Sequence, residues 1–107
     1  MDADIWARRI ADLDRKVDEA IQSVANLECD VPQEVFVIEE CSELTKELTK
    51  ARRGKGDQNH TVEEACDVIT SVLILLRKMY VSDYDIRNSI ISKCERAVNR
   101  FLENGQF

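Results

Sequence analysis

Apolar residues in the first quarter of the chain recur at alternating spacings of three and four. The positions in this pattern are Ala3, Trp6, Ile10, Leu13, Val17, Ala20, Val24 and Leu27. Such spacing places apolar side chains in one seam along a helix that packs nearly parallel to a partner. It predicts a first helix over roughly residues 3 to 27. The segment ECDVPQE then ends it, with Asp30 positioned to cap the next helix and Pro32 in its first turn.

Two more helices follow from the same kind of periodicity. The second carries one apolar stripe, formed by Val37, Cys41, Leu44, Leu48 and Ala51, and fades into the loop RRGKGDQNH. Thr61 opens the third. From Ala65 to Leu76 this helix is apolar on almost every side, so we expect it to be the most buried of the set.

A fourth helix follows a short turn at residues 80 to 82, where Ser82 and Asp85 match a capping box. Its inward positions are predicted to be Ile86, Ile90, Cys94, Ala97 and Phe101, and Asn104 and Gly105 end it. Four helices with mostly short connections predict an all-α fold, an antiparallel four-helix bundle in a single domain over residues 1 to 107.

Composition adds constraints on partners and location. The formal charge of −6 argues against binding to nucleic acid polymers, because that affinity comes from basic residues that neutralise phosphates. The four cysteines contain no C-x-x-C pair, so neither a zinc site nor a disulfide framework is expected. We expect no secretion signal and no membrane span, and hence a cytoplasmic protein. The long seam of the first helix and the all-round apolar third helix predict a homodimer or a dimer of dimers.

Carboxylates form two stripes beside the predicted core. Glu40, Glu43 and Glu47 share one side of the second helix, and Glu64 and Asp67 lie one turn apart on the third. Asp67 most needs a partner, because it lies between Cys66 and Val68 on a helix that is predicted to be buried. The free-energy cost of burying an isolated charge there is prohibitive. Oxygen donors without imidazoles favour Mg²⁺, with Mn²⁺ as a substitute.

Simpler interpretations of these acids stay open. Glu43 and Glu47 match solvated helix residues paired with Lys46 and Lys50.

Glu64 fits a capping box with Thr61, and Asp67 fits a salt bridge to Lys93 or to an arginine of the fourth helix.

The segments VIEECSELTKELTKARRGKG and EEACDV resemble the E-E-x-x-E and E-x-x-D signature of the MazG-like all-α nucleotide pyrophosphohydrolases. The tail SKCERAVNRF is similar to the closing basic segment of that family. The resemblance covers roughly residues 33 to 103. It implies a MazG-type fold and Mg²⁺-dependent hydrolysis of a nucleoside triphosphate between the α and β phosphates, giving a monophosphate and pyrophosphate.

The resemblance also implies roles for individual residues. Metal ligation falls to Glu40, Glu43, Glu64 and Asp67, with Glu39 as an assisting catalytic group. The β and γ phosphates would lie against Lys93, Arg96 and Arg100, although these residues equally fit a solvated basic stripe near a helix C-terminus.

Two other functions stay open at this point. One is a related enzyme of the same superfamily, specific for dUTP, dCTP or phosphoribosyl-ATP. The other is a non-catalytic helical interaction module that binds a partner through the seam of the first helix, with carboxylates that merely balance charge.

Overall fold

The computed structural model describes residues 2–106, and that part of the chain is entirely helical. It forms α1 (Ala3–Ala25), α2 (Gln33–Arg52), α3 (Gln58–Lys78) and α4 (Asp83–Asn104), with no strand among the described residues. The predicted all-α class and the four helices are therefore confirmed. Within residues 2–106, no helix is both long enough and apolar enough to cross a membrane.

The starts of the helices differ from the prediction at two places. α3 begins at Gln58 rather than at Thr61, because the Asp57 side chain accepts a hydrogen bond from the Asn59 amide and caps the helix one turn earlier. α2 has Pro32 at its N-cap without a side-chain hydrogen bond, so Asp30 is not the cap. The Ser82 cap of α4 is confirmed, since its hydroxyl accepts from the Asp85 amide.

α2 and α3 form an antiparallel hairpin joined by the loop at residues 53–57. Gly54 adopts a φ of +72°, and the amides of Gly54 and Lys55 donate to the carbonyls of Ala51 and Lys50, which is a Schellman ending of α2. Gly56 lies so close to α2 that a Cβ there would be 2.7 Å from the Ala51 Cα. This close approach of backbones fixes how the two helices diverge from the loop.

α3 is the central helix, because it packs against α2 on one side and α1 on another. The side chain of Gln33 donates to the Ser71 carbonyl across the hairpin at 3.1 Å. On the α1 side, Arg77 pairs with Asp18 and donates to Gln22. Ser71 and Ile74 on α3 are buried, which confirms that this helix is the most deeply packed of the described chain.

α4 runs beside α3 across a cleft of about 470 Å³ rather than in close contact with it. The predicted inward residues are therefore not buried: Ile90 is 56% exposed, and Ile86 is only half-buried. Ile86 and Ile90 line the cleft on the side of α3, whereas Cys94 and Phe101, which were also predicted to face inward, are exposed. Within this single chain, however, little packs against the apolar side of α4.

Candidate metal centre

Three carboxylates from two helices converge on one point of the α2–α3 hairpin. Oxygens of Glu40, Glu64 and Asp67 all lie within 4.8 Å of one another. Glu64 and Asp67 are one turn apart and so share a side of α3, and the antiparallel pairing brings Glu40 of α2 opposite them. We call these three residues the acidic cluster. Residues 24 and more positions apart in sequence meet here only because the hairpin forms.

Asp67 occupies a different environment from the one predicted. Its side chain is exposed, whereas Glu40 and Glu64 are half-buried. The prediction of burial rested on the apolar neighbours of Asp67, and it is wrong because those neighbours face the open cleft beside α4 and not a closed core. Asp67 thus forms the solvent-accessible rim of the acidic cluster.

The electrostatic environment of Glu64 shows how concentrated the negative charge is. Partial burial raises the pKa of Glu64 above its ordinary value, and the charges of Asp67, Glu43, Glu40 and Glu47 raise it further. Glu43 and Glu47 are therefore close enough to act on the cluster, although neither belongs to its three converging residues. A bound cation would relieve repulsion among five carboxylates.

Glu43 and Glu39 are both exposed on α2. Of the four metal ligands implied by the resemblance, the structure brings Glu40, Glu64 and Asp67 together and leaves Glu43 one turn away along α2. Glu39 is directed elsewhere on the helix and does not join the cluster.

Glu47 is the residue whose position the sequence did not reveal. It is only 8% exposed, the lowest value among the described acidic residues, and Lys50 donates to its Oε1 at 3.2 Å. The pairing with Lys50 matches the simple helical interpretation, but the burial does not. The one available signal was the position of Glu47 on the same stripe as Glu40 and Glu43.

Two simple explanations of the acids lose their support. Glu64 cannot be the third residue of a capping box with Thr61, because Thr61 lies inside α3 and donates its hydroxyl to the Asp57 carbonyl. Asp67 forms no ion pair with Lys93 or with an arginine of α4 anywhere in residues 2–106. Neither residue is therefore explained by a local structural role.

Lys93, Arg96 and Arg100 of α4 form no ion pair with the acidic cluster in the described part of the chain. Lys93 of α4 lines the cleft together with Val68 and Ile69 of α3. These two α3 residues directly follow Asp67 in the chain. In the described chain no hydrogen bond or ion pair links Lys93, Arg96 or Arg100 to a carboxylate of the cluster. Their predicted contact with phosphates stays a prediction.

The surroundings of three cations near the α2–α3 loop and of Trp6 on α1 differ from those that the sequence pattern suggests. The three cations are Arg52, Arg53 and Lys55. Arg52 belongs to the last turn of α2, whereas Arg53, the C-cap residue, and Lys55 lie in the loop at residues 53–57. Trp6 is 51% exposed on α1, and the Arg9 guanidinium lies over its ring at 5.6 Å from the centroid.

The chain matches no protein-family model, no curated protein and no solved structure.

The donor set of the acidic cluster fits a hard divalent cation. It offers carboxylate oxygens from two helices, it contains no imidazole or thiol, and its rim is open to solvent. Oxygen-only ligation with free positions for water is the preference of Mg²⁺ and Mn²⁺ rather than of zinc.

Proposed function

We propose that this chain is a Mg²⁺-dependent nucleotide pyrophosphohydrolase of the MazG-like kind. The observation that carries the proposal is the convergence of Glu40, Glu64 and Asp67, which are the residues that match the family signature. Three acids selected by a sequence motif meet across two helices, and no local cap or ion pair accounts for Glu64 or Asp67.

Each carboxylate contributes differently to this function. Glu40 and Glu64 are half-buried and form the fixed base of the site, while exposed Asp67 completes the ligand set from the solvent side. Glu40, Glu64 and Asp67 would hold Mg²⁺, which would supply activation of a water molecule and compensation of negative charge on the leaving pyrophosphate. Glu43, one turn from Glu40, supplies a fourth carboxylate once ligand binding draws its side chain inward.

Glu47 and Lys50 influence the site electrostatically from outside the acidic cluster. The buried carboxylate of Glu47 adds negative potential at Glu64, which favours the binding of a cation there, and the Lys50 ammonium compensates for its burial. On α4, Lys93 lines the cleft together with Val68 and Ile69 of α3, and it is our candidate for contact with the terminal phosphates.

The direct test is a turnover screen on the full chain. Each common nucleoside triphosphate and its deoxy form is incubated with the protein, with Mg²⁺ or with EDTA, and both pyrophosphate and nucleoside monophosphate are measured. We expect equal amounts of the two products from at least one nucleotide, and only with Mg²⁺. Release of inorganic phosphate in place of pyrophosphate would contradict cleavage between the α and β phosphates.

The same screen separates the narrower superfamily alternatives. An enzyme specific for dUTP or dCTP would act on one pyrimidine deoxynucleotide, and one specific for phosphoribosyl-ATP would act on none of the free triphosphates. Adding phosphoribosyl-ATP to the panel therefore completes it.

A non-catalytic helical interaction module is the second candidate, and one observation favours it. Apolar side chains of α1 are largely exposed, including Ile10 at 58% and Leu13 at 61%. An interaction module would show no turnover with any nucleotide, and its acidic cluster would tolerate substitution by amides without functional loss.

A further inference from the structure

A single side-chain hydrogen bond joins the two helices that carry the acidic cluster. Gln33, the first residue of α2, donates from its side-chain amide to the backbone carbonyl of Ser71 on α3, with 3.1 Å between nitrogen and oxygen. Within residues 2–106, no other side-chain hydrogen bond and no ion pair connects α2 to α3. Because Ser71 is buried and Gln33 is half-buried, water competes little for this bond. We call it the α2–α3 tether.

The tether and the acidic cluster lie on the same sides of the two helices. Glu40 follows Gln33 by seven residues, and Glu64 precedes Ser71 by seven. Seven residues correspond to about 700°, nearly two complete turns, and to a rise of about 10.5 Å. In an antiparallel pair, seven steps forward along one helix and seven steps back along the other lead from one facing pair to the next. The tether therefore defines the same register that places Glu40 opposite Glu64.

The end of α2 at the tether has few other constraints. Pro32 at the N-cap makes no side-chain hydrogen bond to the first turn, so the end of this helix is open to fraying. The opposite end of the hairpin is fixed by the loop, where Gly56 lies close to Ala51 and Asp57 caps α3. The acidic cluster lies between these two points. The tether thus holds the end of the hairpin that the loop does not.

Repulsion within the acidic cluster acts against this arrangement. The pKa of Glu64 is raised by partial burial and then by the charges of four neighbouring carboxylates on the two helices. Such repulsion favours the separation of α2 from α3 in the metal-free protein. A slip of one residue between the helices would move Glu40 by about 1.5 Å relative to the acids of α3. Metal sites need their ligands placed to within about 0.5 Å, so a slip of that size matters.

We infer that Gln33 is a positioning residue, whose bond to the Ser71 carbonyl holds Glu40 in register with the acids of α3. Gln33 acts through Glu40, because it lies two turns along α2 from the acidic cluster and outside the group of converging oxygens. The expected effect on cation affinity rests on the proposed function, whereas the register of α2 and α3 does not.

Gln33→Met tests the tether, because it removes the donor and keeps the length of the side chain. Helices that are free to slip have to return to register when a cation binds. The dissociation constant for Mn²⁺ should therefore rise by about tenfold, as it does for other residues that orient metal ligands. Free Mn²⁺ is measured by electron paramagnetic resonance, at a temperature where circular dichroism shows both proteins folded. A purely structural role would lower the melting temperature and leave this dissociation constant unchanged.

Gln22→Met is the matched control. Gln22 accepts a hydrogen bond from Arg77 at 3.2 Å, between α1 and α3, so the same substitution removes one interhelical hydrogen bond away from the hairpin. It should lower the melting temperature without changing the dissociation constant for Mn²⁺. Equal weakening of Mn²⁺ binding by the two variants would overturn the inference, because a general loss of stability would then be the cause.

Gln33→Asn covers the case in which Gln33→Met fails to fold. Asparagine keeps the polar amide in the first turn of α2, but its side chain is one methylene too short to reach the Ser71 carbonyl with α2 in place. It should raise the dissociation constant for Mn²⁺ in the same direction. A folded Gln33→Asn protein that binds Mn²⁺ as tightly as the unmodified chain would count against the role of Gln33.

The register itself is measured without metal. Spin labels are attached at Cys41 of α2 and Cys66 of α3, which are both exposed and each adjoin a residue of the acidic cluster, and the other two cysteines are replaced by serine. In EDTA, the distribution of distances between the labels should broaden or shift after Gln33→Met and stay unchanged after Gln22→Met. A distribution that Gln33→Met leaves unchanged would overturn the inference at any Mn²⁺ affinity.

The two measurements distinguish a failure of this inference from a failure of the proposed function. An unmodified chain that binds no Mn²⁺, with label distances that change only in Gln33→Met, would refute the cation site and support Gln33 as the residue that sets the register. Saturable Mn²⁺ binding that Gln33→Met does not weaken, with unchanged label distances, would refute the role of Gln33 and leave the cation site in place.

Discussion

The α2–α3 hairpin and the two outer helices differ in what they bury and what they expose. In the hairpin, Glu47 is buried and Glu40 and Glu64 are half-buried, although charge is costly to remove from water. On α1 and α4, large apolar residues such as Leu13 and Ile90 are more than half exposed. A bundle selected for stability alone would have the reverse distribution.

This difference separates two requirements on the chain. The hairpin is the closely packed region, and it holds carboxylates at short mutual distances, where their negative charges repel one another. The outer helices instead expose large apolar side chains, such as Leu13 of α1 and Ile90 of α4. We therefore place the proposed ligand chemistry on the hairpin, whereas the outer helices are distinguished by their exposed apolar surface.

The largest expected effect comes from Asp67→Asn, which tests the chemical half of the comparison. The change keeps the shape of the side chain but removes a charge that the cation needs, so turnover should fall by about a hundredfold or more. Stability without metal should stay the same or rise slightly, because Asp67 is exposed and repels Glu64.

Glu63→Gln is the matched control for Asp67→Asn, since Glu63 is exposed on α3 and lies outside the acidic cluster. It should retain nearly full activity. An Asp67→Asn protein that is unstable but fully active per folded molecule would show that the residue is structural.

Gly56→Ala tests whether close packing of the hairpin is essential. The new Cβ would lie 2.7 Å from the Ala51 Cα, which is backbone and cannot move aside cheaply. We expect a loss of about 2–3 kcal/mol in the free energy of unfolding. Gly54→Ala is the control: nothing lies within 4 Å of its added Cβ, and only its φ of +72° costs about 1 kcal/mol. Equal losses in denaturant titrations of the two variants would contradict this account of the loop.

Tyr80→Gly tests the junction between the hairpin and α4. Tyr80 is 96% exposed and has a φ of 60°, in the turn where the amides of Tyr80 and Val81 donate to Arg77 and Leu76. Glycine adopts this conformation without strain, so the variant should gain about 1 kcal/mol in unfolding free energy. Tyr80→Ala should give no such gain, and a gain as large as that of Tyr80→Gly would exclude backbone strain as the cause.

The smallest effect concerns the pH dependence of the metal-free protein. The folded-state pKa of Glu64 is raised, so the stability linked to its protonation is fully present below its ordinary pKa of 4.5 and is lost as pH rises through the folded value. In EDTA, Glu64→Gln should therefore stabilise the protein more at neutral pH than near pH 4.5. A difference in melting temperature that does not change with pH would contradict the raised pKa.

The helices were predictable from sequence because periodicity and capping residues are local signals. Ser82 begins α4 and Gly105 ends it, as predicted. The start of α3 could not be predicted in the same way, because Asp57 and Thr61 are both good capping residues. The choice between them depends on where the loop meets α2.

The residues that form the candidate site could be predicted from the sequence, but the solvent exposure of each could not. Spacing placed Glu64 and Asp67 on one side of a helix, and the hairpin brought Glu40 to them. The burial of Glu47 and the exposure of Asp67 depend on how far α4 stands from α3, and helical periodicity carries no information on that distance.

The central claim, that the acidic cluster binds a divalent cation, is tested most directly by titrating Mn²⁺ into the full chain and following free Mn²⁺ by electron paramagnetic resonance. We expect saturable binding that Mg²⁺ displaces, accompanied by a rise in melting temperature through linkage. Glu40→Gln should lose this binding, and Glu39→Gln, one residue away and outside the cluster, should keep most of it. Mn²⁺ binding that is absent in the unmodified chain, or equally strong after Glu40→Gln, would contradict the assignment.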